Sequence, residues 1–455
     1  MKNENVYEKP VTLAHILKFA VPTIAMTVFM SFYTMVDGLF VSNLIGTDAL
    51  SAINLTAPVI QIVAAVSTML ATGGSAVIMK KMGEQKHREA REDFTCLIII
   101  NILAGLAMCA LGYLIMEPLF AGMGLSADVT AYCTEYLSRY LLFTVPILLM
   151  NNFTLYMIAG GMATLSLICS VAGGILNMAL DYLFIAVCGM GIGGAAVATG
   201  LGYSVTAVAG VFAFSRKKSL LRFQKPVFRI RVLTGAAANG CSEMATALVT
   251  GIITMIFNWT MLTYVGENGV AAVTIMMYVL MFASSLYTGY SYGVAPMISY
   301  YYGEQNDTKL KRLVRTSLYV IAGISVGTAA VSLLLTEPLV SVFARPDDPV
   351  YRLAVTGNRI CSAALLFIGF NIFMSGMFTA LSNGAVSAVL AFSRSFVFML
   401  ITMAVLPAIL GVSGIWLATP AAELMALALS AAMYHRYKTR YGYGSRRNQS
   451  AESVN

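Results

Sequence analysis

Asp37, Asn177 and Asp181 each interrupt a long apolar run, where ionisable or amide side chains are out of place. Asn177 and Asp181 are four residues apart, so on a helix they stack on one face. Two carboxylates and an amide offer hard oxygen ligands, suited to H⁺ or Na⁺ rather than to a soft metal. An ionisable group inside a bilayer is costly unless it faces water or a partner. The three residues therefore read as a candidate cation site. The competing reading is that the acids only join helices or sit at water-exposed ends.

Glu243, Arg394 and Glu423 also lie within apolar stretches. Arg394 and Glu423 read as a buried pair that fixes packing, whereas Glu243 is expected to face solvent, a cavity or Arg394. Glu135 and Arg139 stand at i, i+4 and are expected to form a local ion pair. Pro22 precedes Asp37 by fifteen residues and removes one backbone hydrogen bond, making it a candidate hinge. The 28 Met and 23 Tyr, grouped as in Met276-Met277 and Tyr290-Ser291-Tyr292, suit a cavity that accepts varied amphipathic cations. Tyr is also frequent at membrane interfaces, the plainer reading of the run from Tyr300 to Tyr302.

The elements that carry these residues follow from composition. Of 455 residues, 58% are hydrophobic and 11% charged, under half the roughly 25% of soluble proteins. Apolar runs broken by charge, Gly, Pro or Asn give twelve helices near 14–40, 49–79, 94–116, 130–158, 163–187, 191–214, 235–264, 270–301, 313–335, 351–380, 384–408 and 412–434. The fold class is thus an all-α polytopic membrane protein with twelve transmembrane helices. Of 29 Lys and Arg, 24 fall in five clusters: up to Lys18, 80–91, 216–231, 309–315 and 436–447. Their recurrence after alternate hydrophobic segments is the positive-inside pattern and places both termini in the cytoplasm. The net charge of +8 then reflects topology and anionic lipid, not nucleic acid. Seven scattered Cys and three His give no CxxC, zinc or haem pattern. Neither HExxH nor a P-loop occurs, so neither a metalloenzyme nor an ATP-driven pump is indicated. No cofactor is expected.

An internal repeat organises the helices. Gly83-Glu84-Gln85 recurs as Gly303-Glu304-Gln305, and Glu117-Pro118-Leu119 as Glu337-Pro338-Leu339, both at an offset of 220. Gly73 meets Gly293 at the same offset, Asn151 meets Asn371, and Thr199 meets Thr419. We expect a lobe over 1–215, a basic linker over 216–234, a second lobe over 235–435 and a basic tail over 436–455. The offset spans an even number of helices, so the two six-helix lobes share orientation, as in transporters that alternate access. The cation candidates break the symmetry, because Asp37, Asn177 and Asp181 pair with Phe257, Val397 and Ile401.

These residues resemble the multidrug and toxic compound extrusion (MATE) family over nearly the whole chain. Pro22 followed by Tyr33-Thr34-Met35-Val36-Asp37 resembles the family's opening motif. Asn177-Met178-Ala179-Leu180-Asp181 resembles its Asn-xxx-Asp element, and Gly191-Ile192-Gly193-Gly194 with Thr199 the start of its sixth helix. The resemblance implies an antiporter that exports amphipathic or cationic compounds in exchange for H⁺ or Na⁺. It implies a coupling-ion site of Asp37, Asn177, Asp181 and Thr199, with a bend near Pro22. Glu243 falls about where other branches place a functional Glu. Asn371 stands where some branches carry an Asp, a departure that favours the first-lobe site. In the simplest mechanism the Asp37/Asp181 pair itself holds the cationic substrate and protonation releases it. A monomer in a bacterial inner membrane, with small-molecule and lipid partners, is expected. A flippase for a lipid-linked saccharide or a narrow metabolite exporter is the nearest alternative; a membrane-embedded enzyme is more distant.

Overall fold

The computed structural model describes residues 6–44, 47–217 and 219–444, and for 37–44 and 47–51 the backbone alone. Every regular element among the described residues is helical. Three long helices open the chain: α1 (Leu13–Leu44), α2 (Thr47–Gly83) and α3 (His87–Gly122). At 1.5 Å per residue the 32 residues of α1 run about 48 Å, well beyond a hydrocarbon core of roughly 30 Å. Next come α4 (Ala127–Leu141), α5 (Thr144–Ala159), α6 (Ala163–Asp181) and α7 (Gly191–Ser215). The second half comprises α8 (Ile230–Tyr264), α9 (Glu267–Gly303), α10 (Asp307–Leu334), the short α11 (Thr336–Ser341), α12 (Pro349–Cys361), α13 (Leu365–Ala380), α14 (Gly384–Phe392), α15 (Phe398–Leu410) and α16 (Val412–Tyr437). Eleven stretches are long and apolar enough to cross a bilayer, and a twelfth is made by α4 and α5 together.

The differences from the expected segments have local causes. The fourth segment is bent by 54° between α4 and α5. Pro146 lies in the first turn of α5 and supplies no N–H to the carbonyl of Leu142, so the helical ladder breaks there. Two basic clusters sit on helix ends, Lys80 and Lys81 closing α2 with Arg88 and Arg91 opening α3, and 309–315 opening α10, whereas the 216–231 cluster lies mostly between α7 and α8. Long cationic side chains reach the headgroup region without ending the helix. π-helical turns, Tyr182–Val187 after α6 and Ser393–Val397 between α14 and α15, were not expected.

The packing is closed at one end of the bundle and divided at the other. At the end carrying the basic clusters, one hydrophobic core joins both halves, from Ile78, Phe94 and Phe153 to Tyr290, Tyr300 and Phe378. Toward the opposite end the core splits in two. One part surrounds Phe120, Tyr136 and Ile192, the other Phe257, Met261 and Trp416. The halves meet where α2 packs on α8 and α9, and α1 on α9.

These contacts follow the 220-residue repeat. A Cβ on Gly83 would overlap the Tyr300 carbonyl, and one on Gly303 the Lys80 carbonyl. Tyr300 is the repeat partner of Lys80, so the two contacts are reciprocal. Gly73 lies against Ala236 and Gly240 in α8, while its partner Gly293 lies against Ala20 in α1. Small residues let helix backbones approach closely in a bilayer. Thr27 Oγ1 adds a hydrogen bond across the halves, donating to the Ser285 carbonyl at 2.8 Å.

Candidate functional site

The first-half candidates converge where α6 and α7 cross. Gly173 and Gly202 face each other so closely that a Cβ on either would press the other's carbonyl, at 2.5 and 2.8 Å. That approach brings Asn177 on α6 beside Thr199 on α7, and the Asn177 Nδ2 donates to Thr199 Oγ1 at 3.3 Å. Asn177 is 1% exposed, Asp181 0% and Thr199 7%. The Asn177 Oδ1 is buried with no hydrogen-bond partner among the described residues. Asp181 ends α6 at the start of the π-turn, a local irregularity frequent at functional sites. The Asp37 side chain lies outside the described residues. α1 runs unbroken through Pro22.

A void of about 10 Å³ lies near this crossing, lined by Tyr33, Gly173, Gly174, Gly202 and Tyr203 and not by Asn177, Asp181 or Thr199. That is the scale of one water molecule. Asn177 and Asp181 are both buried at this crossing. The expectation that the Asp37/Asp181 pair itself holds substrate falls partly on the Asp37 side chain, outside the described residues.

A larger cavity, about 560 Å³, lies between the halves and is lined mainly by the second. Met276, Met277, Met281 and Phe257 form its apolar wall, with Tyr292 on another side. The π-turn after α14 carries Arg394 to its edge, where Nε donates to both Glu423 oxygens at 2.8 and 3.0 Å. Asn371 holds the same carboxylate: its Nδ2 donates to Glu423 Oε2 at 2.8 Å and to the Glu423 carbonyl at 2.9 Å. Ser430 Oγ donates in turn to Asn371 Oδ1 at 2.9 Å. Arg394 and Glu423 therefore pair as expected, and Asn371 acts as their anchor. Glu243 faces the same cavity and has no ion pair among the described residues. With Glu423 matched by Arg394, Glu243 is the one of the three ionisable groups without a basic partner among the described residues.

Sequence reading missed a stripe of hydroxyls beside Glu243. Thr246, Thr250 and Thr254 recur every fourth residue along α8 and line the cavity. Each donates back to the carbonyl four residues earlier, at 2.8–3.0 Å. The period-four spacing was present in the sequence as the signal. Glu135 and Arg139 form the expected pair at 3.1 Å, with the Arg139 guanidinium against Gly193 in α7. Tyr300 and Tyr301 line neither site but are buried in the core at the basic end. No cluster of metal-ligating side chains occurs among the described residues.

A cavity between two repeated membrane-helix halves is the arrangement of a membrane transporter. The MatE family model matches twice, at residues 22–183 and 244–405, and the chain belongs to that family. It is 22% identical over 428 residues to the multidrug export protein MepA of Staphylococcus haemolyticus, covering 91% of this chain and 92% of that one. MepA of Staphylococcus aureus strain NCTC 8325 is 22% identical, with 95% and 96% covered. The fold is that of a solved MATE structure in complex with MaL6, with TM-score 0.91, 22% identity, and 97% and 99% covered. A mutant of the Vibrio cholerae MATE transporter VcmN has the same fold, with TM-score 0.87, 20% identity, and 93% and 96% covered.

Proposed function

We propose that this transporter exports amphipathic cationic compounds in exchange for H⁺ or Na⁺, by alternating access between lobes 1–215 and 235–435, joined by the linker 216–234. The observation that carries the reading is a difference of scale. The second-half cavity is drug-sized, walled by Met and aromatic residues and left one carboxylate in surplus by Glu243. The first-half cluster of Asn177, Asp181 and Thr199 is small and buried, packed where α6 and α7 meet at their glycines. Glu243 attracts the cation, while Met277 and Tyr292 give it an adaptable, polarizable surface. Asp37, Asn177, Asp181 and Thr199 take the coupling ion.

Two separate sites exclude each other through conformation. A ligand shifts an equilibrium only by its difference in affinity for the two states. The coupling ion therefore favours a state in which Glu243 holds substrate weakly, with Pro22 in α1 as the hinge that transmits the change. If the basic end faces the cytoplasm, the state described here is open to the outside, and both termini are cytoplasmic in a bacterial plasma membrane. The names of the MepA relatives support a multidrug range.

The test is ethidium efflux from vesicles with pH and Na⁺ gradients imposed separately, beside ethidium binding in detergent. Asp181→Asn is expected to abolish the dependence on either gradient while binding persists. Glu243→Gln is expected to weaken binding about tenfold or more, the worth of roughly 1.4 kcal/mol. Normal gradient-driven efflux in both variants would overturn the assignment. Absence of efflux under every gradient, with wild-type protein in the membrane, would point to a lipid-linked saccharide or a narrow metabolite as the substrate.

A further inference from the structure

Apart from the central cavity, a cleft of about 830 Å³ opens at the basic end, between the Val6–Glu8 turn, the α5–α6 corner and the ends of α3 and α7. One side holds four basic side chains, His87, Arg91, Arg216 and Lys217, against a single carboxylate, Glu8. The other side is apolar, with Leu165 on α6 and Phe212 on α7. Phe212 is 68% exposed, and Ile168 and Val208, one turn farther from this end, are 58% and 54% exposed. The cleft thus sets cations at the level where α6 and α7 leave the bilayer, above an apolar strip.

Positive-inside topology alone accounts for cations at this end, but not for their lack of partners. Nearby Lys81, Arg88 and Arg229 each hold a carboxylate, on Asp93, Glu92, or both. Among the described residues none of the four cleft side chains is in an ion pair with a carboxylate. Arg91 is half-buried and donates through Nε to the Leu220 carbonyl at 3.1 Å. That bond fixes the guanidinium and leaves its terminal nitrogens for another acceptor. The His87 ring bonds Gln85 through Nε2 at 2.9 Å, while its Nδ1 is buried without a partner.

We infer that this cleft binds an anionic phospholipid, with the headgroup phosphate on Arg91, Arg216 and Lys217 and an acyl chain along the apolar strip of α6 and α7. A guanidinium fork matches phosphate oxygens in a bidentate way, and basic pockets between membrane helices are suited to such headgroups. Phosphatidylcholine offers the same phosphate, but its choline adds a positive charge beside Arg91, Arg216 and Lys217. The cleft is therefore selective for a net negative headgroup.

The full chain in detergent would be examined by native mass spectrometry with phosphatidylglycerol or phosphatidylcholine of matched acyl chains. The wild type is expected to retain phosphatidylglycerol at least about tenfold better. Arg91→Gln/Arg216→Gln/Lys217→Gln is expected to bring the two lipids near parity. Lys309→Gln/Lys311→Gln/Arg312→Gln, in another basic cluster, is expected to keep the preference. Equal loss in both triple variants, or no loss in the first, would overturn the site in favour of diffuse surface charge. Displacement of the lipid by millimolar inorganic phosphate would overturn it in favour of a free-anion site. Should the first triple variant fail gel filtration, the exposed pair Arg216→Gln/Lys217→Gln carries the same test, with a smaller expected loss.

Discussion

Two glutamates in one cavity have opposite employment, and their neutralisation separates the roles. Glu423 is held by Arg394 and Asn371. Glu423→Gln strips Arg394 of its countercharge where the side chain is only 19% exposed. Breaking a fully buried pair costs roughly 3–5 kcal/mol, and partial exposure of Arg394 lowers this to about 2 kcal/mol. Glu243→Gln breaks no ion pair and is expected to change stability by under about 0.5 kcal/mol. Thermal unfolding in detergent reads the difference directly. Equal destabilisation by both variants would mean that Glu243 is also structural, and its assignment to the substrate would lose its standing. The pair itself was legible from the sequence as one Arg and one Glu in facing apolar helices. That Asn371 anchors it was not, because a buried amide declares no partner. The burial of Asp181 was legible for the converse reason, since a carboxylate within an apolar run is carried into the bundle with its helix.

The elements close the basic end by backbone approach, and the sequence displayed the glycines without their purpose. Gly83 and Gly303 could be aligned at the 220-residue offset; that each meets the other's repeat neighbourhood needed coordinates. Gly83→Val forces α2 away from Tyr300. The expected outcome is a population shift away from this state, read as a longer distance between spin labels on Arg88→Cys and Lys311→Cys. An unchanged distance would mean that the contact tolerates repacking and does not gate. A second fastening lies outside the helices. Tyr7 is fully buried, its ring stacked on Tyr300 at 4.9 Å and its hydroxyl donating to the Ala159 carbonyl at 2.6 Å. It thereby joins α9 of one half to α5 of the other. Burial pushes its phenol well above the usual range, so it stays neutral and keeps the hydrogen bond. Tyr7→Ala is expected to cost about 3 kcal/mol and to speed hydrogen exchange at the end of α9 first. Exchange that rises uniformly along the chain would contradict a local fastening. The π-turns and the α4–α5 bend escaped the sequence for different reasons. A π-turn has no composition of its own, whereas Pro146 was visible and its position in a first turn was not.

At the scale of the whole molecule, one shared core that divides toward the far end describes a vessel open on one side, and its biological sense depends on which side. Helix count, repeat and charge asymmetry were legible because a bilayer permits few solutions: backbone groups must be satisfied within helices, and cations must stay at one face. The opening was not legible, since both conformations of an alternating-access protein obey the same pattern. Cys188 provides the test of orientation without adding a residue. It is exposed, between the Tyr182–Val187 turn and α7, at the end away from the basic clusters. Cys96, Cys133, Cys169 and Cys361 are buried, and Cys109 and Cys241 are partly so. A membrane-impermeant maleimide is expected to label wild-type protein in intact cells and to lose most of that label in Cys188→Ala. Everted vesicles are expected to react weakly. The reverse pattern would place the basic end outside and the open cavity toward the cytoplasm. The same surplus carboxylate at Glu243 would then load from within rather than discharge outward, and the proposed direction of cation movement would have to be rebuilt from the second conformation.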